Sequence, residues 1–174
     1  MKWSNSVLSA AALGLLALGL ASTPAFAGST NTGSLAVTAT VNTLCTITPG
    51  TLAFGSYTGA VANNSSSISI ACSTPSVSYT VGLNGGTTGT PTARVLTGTG
   101  GTGGAPTSST LAYKLCSDSS SCSTNWGDVG GTGLGGGTTS TSGVATLTVW
   151  GQIAGGLVVA QGTYSDTVIA TISY

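Results

Sequence analysis

The feature that most constrains the fold of this chain is a set of short runs in which apolar and polar residues alternate. The runs are GSLAVTATVNTLCTI (33–47), TLAFGSY (51–57), SISIAC (67–72), VSYTVGL (77–83), ARVLT (93–97), LAYKL (111–115), VATLTVWGQI (144–153) and YSDTVIATISY (164–174). A period of two places the apolar side chains on one face of a strand, and turn-rich segments separate the runs. No helical period of comparable length competes with them after residue 27. We therefore predict an all-β fold, an antiparallel sandwich with immunoglobulin-like layering.

The composition favours a folded β protein over a disordered chain. Hydrophobic residues make up 40% of the chain and charged residues 3%, whereas disordered chains usually combine low hydrophobicity with high net charge. The segments 98–109 and 130–143 are so rich in Gly, Ser and Thr that we expect surface loops there. GTGGTG at 98–103 matches a nucleotide-binding glycine pattern, but it lies between β runs and no helix follows it, so we interpret it as loop.

The N-terminal residues have the order of a secretory signal peptide. Lys2 precedes the apolar block AAALGLLALGLA, and AFA at 25–27 has the small residues of a cleavage site. The apolar block is shorter than the roughly 20 residues that cross a bilayer, so we predict no transmembrane segment in the mature chain. The predicted organisation is a signal peptide at 1–27, an N-terminal extension at 28–42 and one sandwich domain at 43–174.

The cysteines predict disulfides formed in an oxidising compartment, because an even number follows a secretion signal. They are Cys45, Cys72, Cys116 and Cys122. Of the three possible pairings, residue parity favours one between the first two, which face inward on different runs. The last two bracket a short polar turn, CSDSSSC, and can close it locally. The chain has no His and no Cys-x-x-Cys pair, which argues against a metal site at these cysteines.

The residue types present argue against several functions. Without His or Glu the chain lacks the commonest general base and the Ser-His-Asp and Cys-His systems, so we predict no catalytic residues, no cofactor and no enzymatic activity. Asp118 and Asp128 supply too few acidic ligands for a calcium site, and we predict no metal. Asp166 is expected to hydrogen-bond a turn. A formal net charge of +0 gives no basic surface for nucleic acid or an acidic membrane.

The aromatic residues allow two interpretations, an adhesive patch or core packing. Tyr79, Tyr113 and Tyr164 have the inward parity of their runs, which favours the core. Trp126, in the loop TNWGD, is the aromatic residue that we expect to be most exposed.

The first run can serve two different sheets. Its apolar face consists of Leu35, Val37, Ala39 and Val41. This face can fill the core of its own sandwich as an internal first strand, or it can complete the sheet of a neighbouring molecule. The last run, which ends at Tyr174, has an apolar face and no later strand to pair with it. Because a bare apolar edge promotes aggregation, we expect something to cover it.

In the order and spacing of its motifs the chain resembles the spore coat U domain family, which includes pilins of archaic (Csu-type) chaperone-usher pili. The motifs are the N-terminal run ending in Cys45, LAFGSY, ISIAC leading into YTVGLNGG, LAYKLCSD followed by NWGD, LTVWGQI, and GTYSDTVIATISY. In that family the immunoglobulin-like fold lacks its final strand. A periplasmic chaperone lends one, and an outer-membrane usher then exchanges it for the N-terminal strand of the next subunit.

The resemblance implies that the chain is a secreted structural subunit. It would polymerise head-to-tail by donor-strand complementation into a cell-surface pilus that acts in adhesion and biofilm formation. The implied donor strand carries Leu35, Val37, Ala39 and Val41. By parity we expect Val168, Ala170 and Ile172 to line the acceptor groove. The implied partners are further copies or related pilins, the chaperone and the usher, and the implied route is through the periplasm.

Two other functions stay open on the sequence. One is a non-polymerising coat or matrix protein whose own N-terminal strand completes its sandwich. The other is an ice- or glycan-binding module, suggested by the many Thr, Gly and Ser residues, although the scattered TGT clusters do not form a regular Thr array.

Overall fold

A computed structural model of the chain describes residues 28–99 and 108–174. The predicted signal peptide at 1–27 and most of the predicted loop at 98–109 lie outside the described residues. Within the described ranges, no helix has the length and apolar character needed to cross a bilayer.

The described residues form nine β-strands in two antiparallel sheets. The strands are β1 (Cys45–Pro49), β2 (Ala62–Cys72), β3 (Ser78–Leu83), β4 (Arg94–Thr99), β5 (Ser108–Cys116), β6 (Gly135–Thr138), β7 (Val144–Ile153), β8 (Thr163–Ser165) and β9 (Ala170–Ser173). The larger sheet has the order β1-β2-β7-β5-β4-β8 and the smaller sheet β6-β3-β9. The predicted all-β fold is confirmed. All nine strands lie in one compact unit, Thr40–Tyr174, and the described residues before it, 28–39, are exposed and have no secondary structure.

The core consists of the inward-facing residues of the strands. In β2, Ile68 and Ile70 are buried while the alternating Ser67 and Ser69 face solvent, which is the alternation of the SISI run. Tyr79 and Tyr113 are also buried, in agreement with their parity. Burying one aliphatic or aromatic side chain of this size contributes about 1.5–3 kcal/mol.

Disulfides join Cys45 to Cys72, the pairing that parity favoured, and Cys116 to Cys122, which closes the short polar turn. The first bridge links β1 to β2 at a directly opposed pair and closes a sequence separation of 27 residues. By loop-closure entropy such a link contributes about 3.5 kcal/mol.

Trp126 is buried, so the expectation that it is the most exposed aromatic residue is wrong. It is 1% exposed, and its indole Nε1 donates a 2.7 Å hydrogen bond to the carbonyl of Val81. Its backbone amide donates to the carbonyl of Leu115 at 2.8 Å. Gly135 leaves room for the ring, since a Cβ at that position would lie 2.1 Å from indole Cζ2. The loop therefore folds inward although its neighbouring residues are polar.

Arg94 is a buried cation that holds two loops together. Its guanidinium donates hydrogen bonds of 2.6–2.9 Å to the carbonyls of Leu83, Asn84, Pro91 and Trp126. Burial lowers the pKa of the guanidinium from its ordinary value. A buried charge of this kind is tolerated because its donors are hydrogen-bonded.

Two of the predicted strand boundaries are wrong at the chain ends. The first run has no strand before Cys45, so the segment from 33 to 44 lies outside both sheets. The last run is split into β8 and β9, which belong to different sheets. Asp166 lies at this break, and its carboxylate accepts a hydrogen bond from the amide of Thr167, which a continuous strand could use in its ladder. It also accepts one from the amide of Thr87, in the segment after β3.

Two internal segments also differ from expectation. The run at 51–57 is not a strand, because after Gly50 N donates to Ser67 O the chain leaves the ladder of β2. The loop predicted at 130–143 contains β6, in which three glycines pair with β3. A Cβ on Gly136 would lie 2.7 Å from the carbonyl oxygen of Tyr79, so this close approach requires glycine.

Replacing Trp126 with Phe is expected to destabilise the fold by about 1–3 kcal/mol, because the buried carbonyl of Val81 loses its partner. Urea unfolding measures the difference. The matched control is Trp150→Phe, at a half-buried indole on β7, which should cost clearly less. Equal losses for the two variants would contradict the anchoring role of Trp126.

Candidate strand-binding groove

Two strand edges face each other without pairing. β1 is an edge of the larger sheet and β9 is an edge of the smaller one. The two strands approach each other although no ladder joins them. Unpaired edges present rows of backbone donors and acceptors that can template a further strand. The gap between β1 and β9 therefore has the position of an absent strand.

A cavity of about 320 Å³ opens between residues 49–54, which end and follow β1, and residues 166–170, which precede and begin β9. Its floor is the apolar core. The core residues that line it are Ile68, Leu83, Leu96, Tyr113, Leu115 and Val149. The apolar core therefore borders an open cavity along this gap.

A second cavity of about 810 Å³ continues the first one between residues 51–57 and residues 159–166. The two cavities share Leu52, Phe54, Leu96 and Asp166 among their lining residues. Together they form one channel, which we call the groove. Along the groove, residue numbers increase in one wall, residues 49–57, and decrease in the other wall, residues 159–170. The two walls therefore run in opposite chain directions.

The first wall offers backbone groups to a partner. In the described part of the chain, no backbone amide of residues 51–57 donates to another backbone carbonyl. The carbonyl of Ala53 accepts a hydrogen bond from the side-chain amide of Asn64. The opposite wall differs, because its residues 163–165 pair with β4 and the amides of Thr167 and Ile169 donate to side-chain oxygens. β9, which begins at the end of this wall, forms a ladder with β3 on one side alone. A strand laid in the groove could pair with both walls.

The residues nominated as acceptor positions differ in their placement. Val168 and Ala170 line the first cavity and are half-buried. Ile172 pairs with Val81 and packs against the core, but it is not among the residues that line either cavity. The structure thus brings two of the three into the groove, and their acceptor role stays a prediction.

Sequence reasoning missed the first wall. Leu52, Phe54 and Tyr57 are half-buried and point from this wall toward the core. Phe54 meets Tyr113 edge-to-face, with ring centroids 6.1 Å apart. The alternation in LAFGSY was the available signal, but it predicted a strand and did not show that the strand would lack a partner.

The apolar residues predicted to form a donor strand are exposed. Leu35, Val37 and Val41 are 87%, 84% and 75% exposed, and Ala39 is exposed as well. Contiguous apolar side chains in solvent are typical of interaction segments. Their role as donors stays a prediction.

Asp166 lies where the two cavities meet and fixes the second wall. Its Oδ2 accepts a 2.6 Å hydrogen bond from the hydroxyl of Tyr113, and its Oδ1 accepts 2.8 Å bonds from the amides of Thr87 and Thr167. Burial by itself raises the pKa of the carboxyl, but the hydrogen bonds outweigh it, so the pKa of Asp166 is lowered. Burial, followed by this hydrogen bond, raises the pKa of Tyr113. Gly86 leaves room for the carboxylate, since a Cβ there would meet Oδ2 at 1.9 Å.

The described residues contain no group of three His, Cys, Asp or Glu side chains placed to hold a metal ion. What the groove offers is apolar surface and backbone hydrogen-bonding groups. Such a site suits an extended polypeptide with alternating apolar residues.

Comparisons with known proteins identify a family and related solved structures. A family model described as Spore Coat Protein U domain matches residues 31–171. A similar solved structure is the CsuC-CsuE chaperone-tip adhesion subunit pre-assembly complex from archaic chaperone-usher Csu pili of Acinetobacter baumannii. The match has a TM-score of 0.53 and 24% identity, covering 78% of this chain and 40% of that chain. The chain thus spans less than half the length of the matched chain, and the likeness is one of fold. No curated protein matches the chain.

Replacing Asp166 with Asn is expected to destabilise the fold at neutral pH and to matter less in acid. Because the folded pKa of Asp166 is lowered, its ionised form stabilises the fold above the unfolded pKa, and this contribution disappears as pH falls through the folded pKa. Urea unfolding of both proteins, from neutral pH to below the ordinary value of 3.8, measures the difference.

Asp118→Asn is the control for this prediction, because backbone hydrogen bonds also lower the pKa of Asp118, but its carboxylate is exposed in a polar turn, where solvent weakens the stabilisation. Its effect should be smaller at neutral pH. A stability difference between the native chain and Asp166→Asn that does not change with pH would contradict the assignment.

Proposed function

The chain belongs to the spore coat protein U domain family, and we propose that it is a secreted structural subunit that polymerises into a surface pilus by donor-strand complementation. The single observation that carries this proposal is the groove. Apolar core residues line a cavity between two walls that each offer unpaired backbone groups, and the described chain also carries an exposed extension with the alternation that such a groove accepts. We propose that residues 28–42 of one subunit form this extension and enter the groove of a neighbour.

The energetics favour such an exchange. Leu35, Val37, Ala39 and Val41 alternate over a stretch that spans about 20 Å when extended. Each Leu or Val that moves from solvent to the groove contributes about 1.5–3 kcal/mol, and Ala39 contributes less. Each backbone hydrogen bond to a wall adds a net 0.5–1.5 kcal/mol or so. The donor segment is exposed before insertion, so it has little structure to lose.

The contact is head-to-tail, because the donor segment and the groove are different surfaces of the same chain. A heterologous contact that does not close produces a filament. The partners would be further copies or related pilins. With charged residues at 3% of the chain, little electrostatic repulsion opposes close packing of subunits.

We propose further that a periplasmic chaperone covers the groove before assembly and that an outer-membrane usher exchanges it for the next subunit. The solved relative, described as a chaperone-tip adhesion subunit pre-assembly complex from chaperone-usher pili, supports this route for a protein of similar fold. A signal peptide at 1–27 would deliver the chain to the periplasm. The implied role of the pilus is adhesion and biofilm formation, and no enzymatic step is proposed.

Replacing Val37 with Asp is expected to abolish polymers, because it puts a charge on the face that enters the groove. An unboiled denaturing gel of the mature protein, with disulfides intact, should show a ladder of multimers for the native chain that collapses to monomer on boiling. The ladder should be missing for Val37→Asp.

Thr38→Asp is the matched control, since it adds the same charge to the opposite face of the same segment. It should keep the ladder. Monomer in every lane, with Val37→Asp less stable to heat than the native chain, would mean that the segment fills its own core. That result would overturn the pilus proposal in favour of a self-complemented coat or matrix protein.

A further inference from the structure

The end of the groove near residue 57 has an exposed apolar patch. Val61 and Val158 are 56% and 99% exposed there, and we call this pair the rim patch. The two loops that carry it are held together. Gly156 N donates to Gly59 O at 2.8 Å, and a Cβ on Gly155 would lie 3.4 Å from Cγ2 of Val61. The patch adjoins the groove, because Val159 lines its second cavity.

Tyr57 fixes the position of these loops. Its hydroxyl donates a 2.8 Å hydrogen bond to the carbonyl of Ala154 and accepts a 3.0 Å bond from the amide of Leu157. Val158 is thus an apolar side chain held in solvent by anchored backbone on both sides. Isolated exposed valines are common, but two on one anchored rim beside an open groove indicate an interaction surface.

A second exposed apolar pair lies at the other end of β2. Leu44 and Val144 are 63% and 50% exposed, and we call them the base patch. Leu44 O accepts from Ser73 N at 2.8 Å, while Val144 is paired with Ala71. Both residues therefore flank the last residues of β2. Val61 immediately precedes the same strand, whose 11 residues separate the two patches by about 35 Å.

The segment between the donor residues and β1 is short and tied to the domain. Leu44 N donates to Ser73 Oγ at 2.9 Å, and Ser73 Oγ donates to Asn42 O at 3.0 Å. The hydroxyls of Thr43 and Thr74 lie 2.9 Å apart. From Val41 to Cys45 an extended chain covers at most about 14 Å. The body of a donor subunit must therefore lie close to the end of the groove that receives its Val41.

The direction of the inserted strand decides which end this is. All ladders between the described strands are antiparallel. Because the two walls run in opposite directions, an inserted strand is antiparallel to one wall and parallel to the other. β9 is an edge strand of a regular ladder, whereas residues 51–57 form no strand. A donor strand that pairs antiparallel with β9 runs from the β9 end of the groove toward residues 57 and 159. Val41 is then the donor-strand residue nearest the rim patch of the acceptor subunit. The base patch of the donor subunit is therefore brought next to this rim patch.

We propose that successive copies of this chain make a second contact, in which the rim patch of the acceptor subunit packs on the base patch of the donor subunit. This inference rests on the proposed donor-strand polymerisation and adds to it. The partner is a second copy of the chain because its base patch is tethered within reach and is apolar like the rim. The loops involved, 58–61, 73–76, 140–143 and 155–162, contain no charged residue, so no charge is buried by the contact.

The test is a pair of cysteines, Leu44→Cys with Val158→Cys, in the full mature chain. The four native cysteines are already paired in disulfides. Multimers are oxidised, boiled in detergent without reductant and run on a gel. Boiling removes the donor-strand contacts, so the multimers that remain are those joined by the new disulfide, which requires the two Cβ atoms to approach to about 4 Å.

We expect a boiling-resistant ladder for the double variant that disappears with reductant. The single variants should give dimers at most, since one cysteine can join two chains and no more. Leu44→Cys with Val129→Cys is the matched control, because Val129 is 49% exposed in the loop after Trp126, away from the rim patch. It should give no ladder.

The remaining outcomes separate the two proposals. A ladder before boiling and none after it, in the double variant, would overturn the second contact and leave donor-strand polymerisation standing. A boiling-resistant ladder of equal strength in the Val129 control would also overturn the specific contact. No ladder before boiling in the native chain would overturn both proposals together.

Discussion

An apolar core that its own strands leave uncovered governs the rest of this structure. β1 and β9 are unpaired edge strands of two different sheets, and the side chains of Leu83, Leu115 and Val149 line the cavity between them. Water on this surface is unfavourable in proportion to the apolar area, and unpaired edge groups favour the addition of a strand. Both demands are met by one extended segment with alternating apolar residues.

Two hydrogen-bonded charged side chains, Arg94 and Asp166, keep the groove open in a defined shape. Arg94 ties the turn after β3 to the Trp126 loop through four carbonyls, and Asp166 ties the second wall to Tyr113 and Thr87. A groove walled by irregular chain would otherwise collapse on its exposed core. The buried guanidinium of Arg94 and the ionised carboxylate of Asp166 thus keep the empty groove in the conformation that accepts a strand. This preorganisation lowers the entropy cost of binding the strand.

Alternation in the sequence was sufficient to predict the fold class and most strands, because burial of one face leaves a period of two in β2, β3, β5 and β7. Alternation failed to predict the structure where backbone contacts, and not the burial of one face, determine it. β6 is made of glycines that pair with β3 and carry no side-chain pattern. Trp126 is buried by hydrogen bonds to distant carbonyls, and residues 51–57 alternate like a strand yet lack a partner. The groove could not be predicted in detail, since it depends on which edges remain unpaired, although the inward parity of Val168 and Ala170 identified part of its wall.

The most direct test of this account is hydrogen-deuterium exchange of separated monomers and multimers of the mature chain, read by mass spectrometry on peptides covering residues 33–43 and 51–57. Amides in a strand ladder exchange slowly, whereas those facing solvent exchange fast. The account predicts that both segments are unprotected in the monomer and become protected together in the multimer. Residues 33–43 that exchange fast in the multimer, or that are already protected in the monomer, would contradict it.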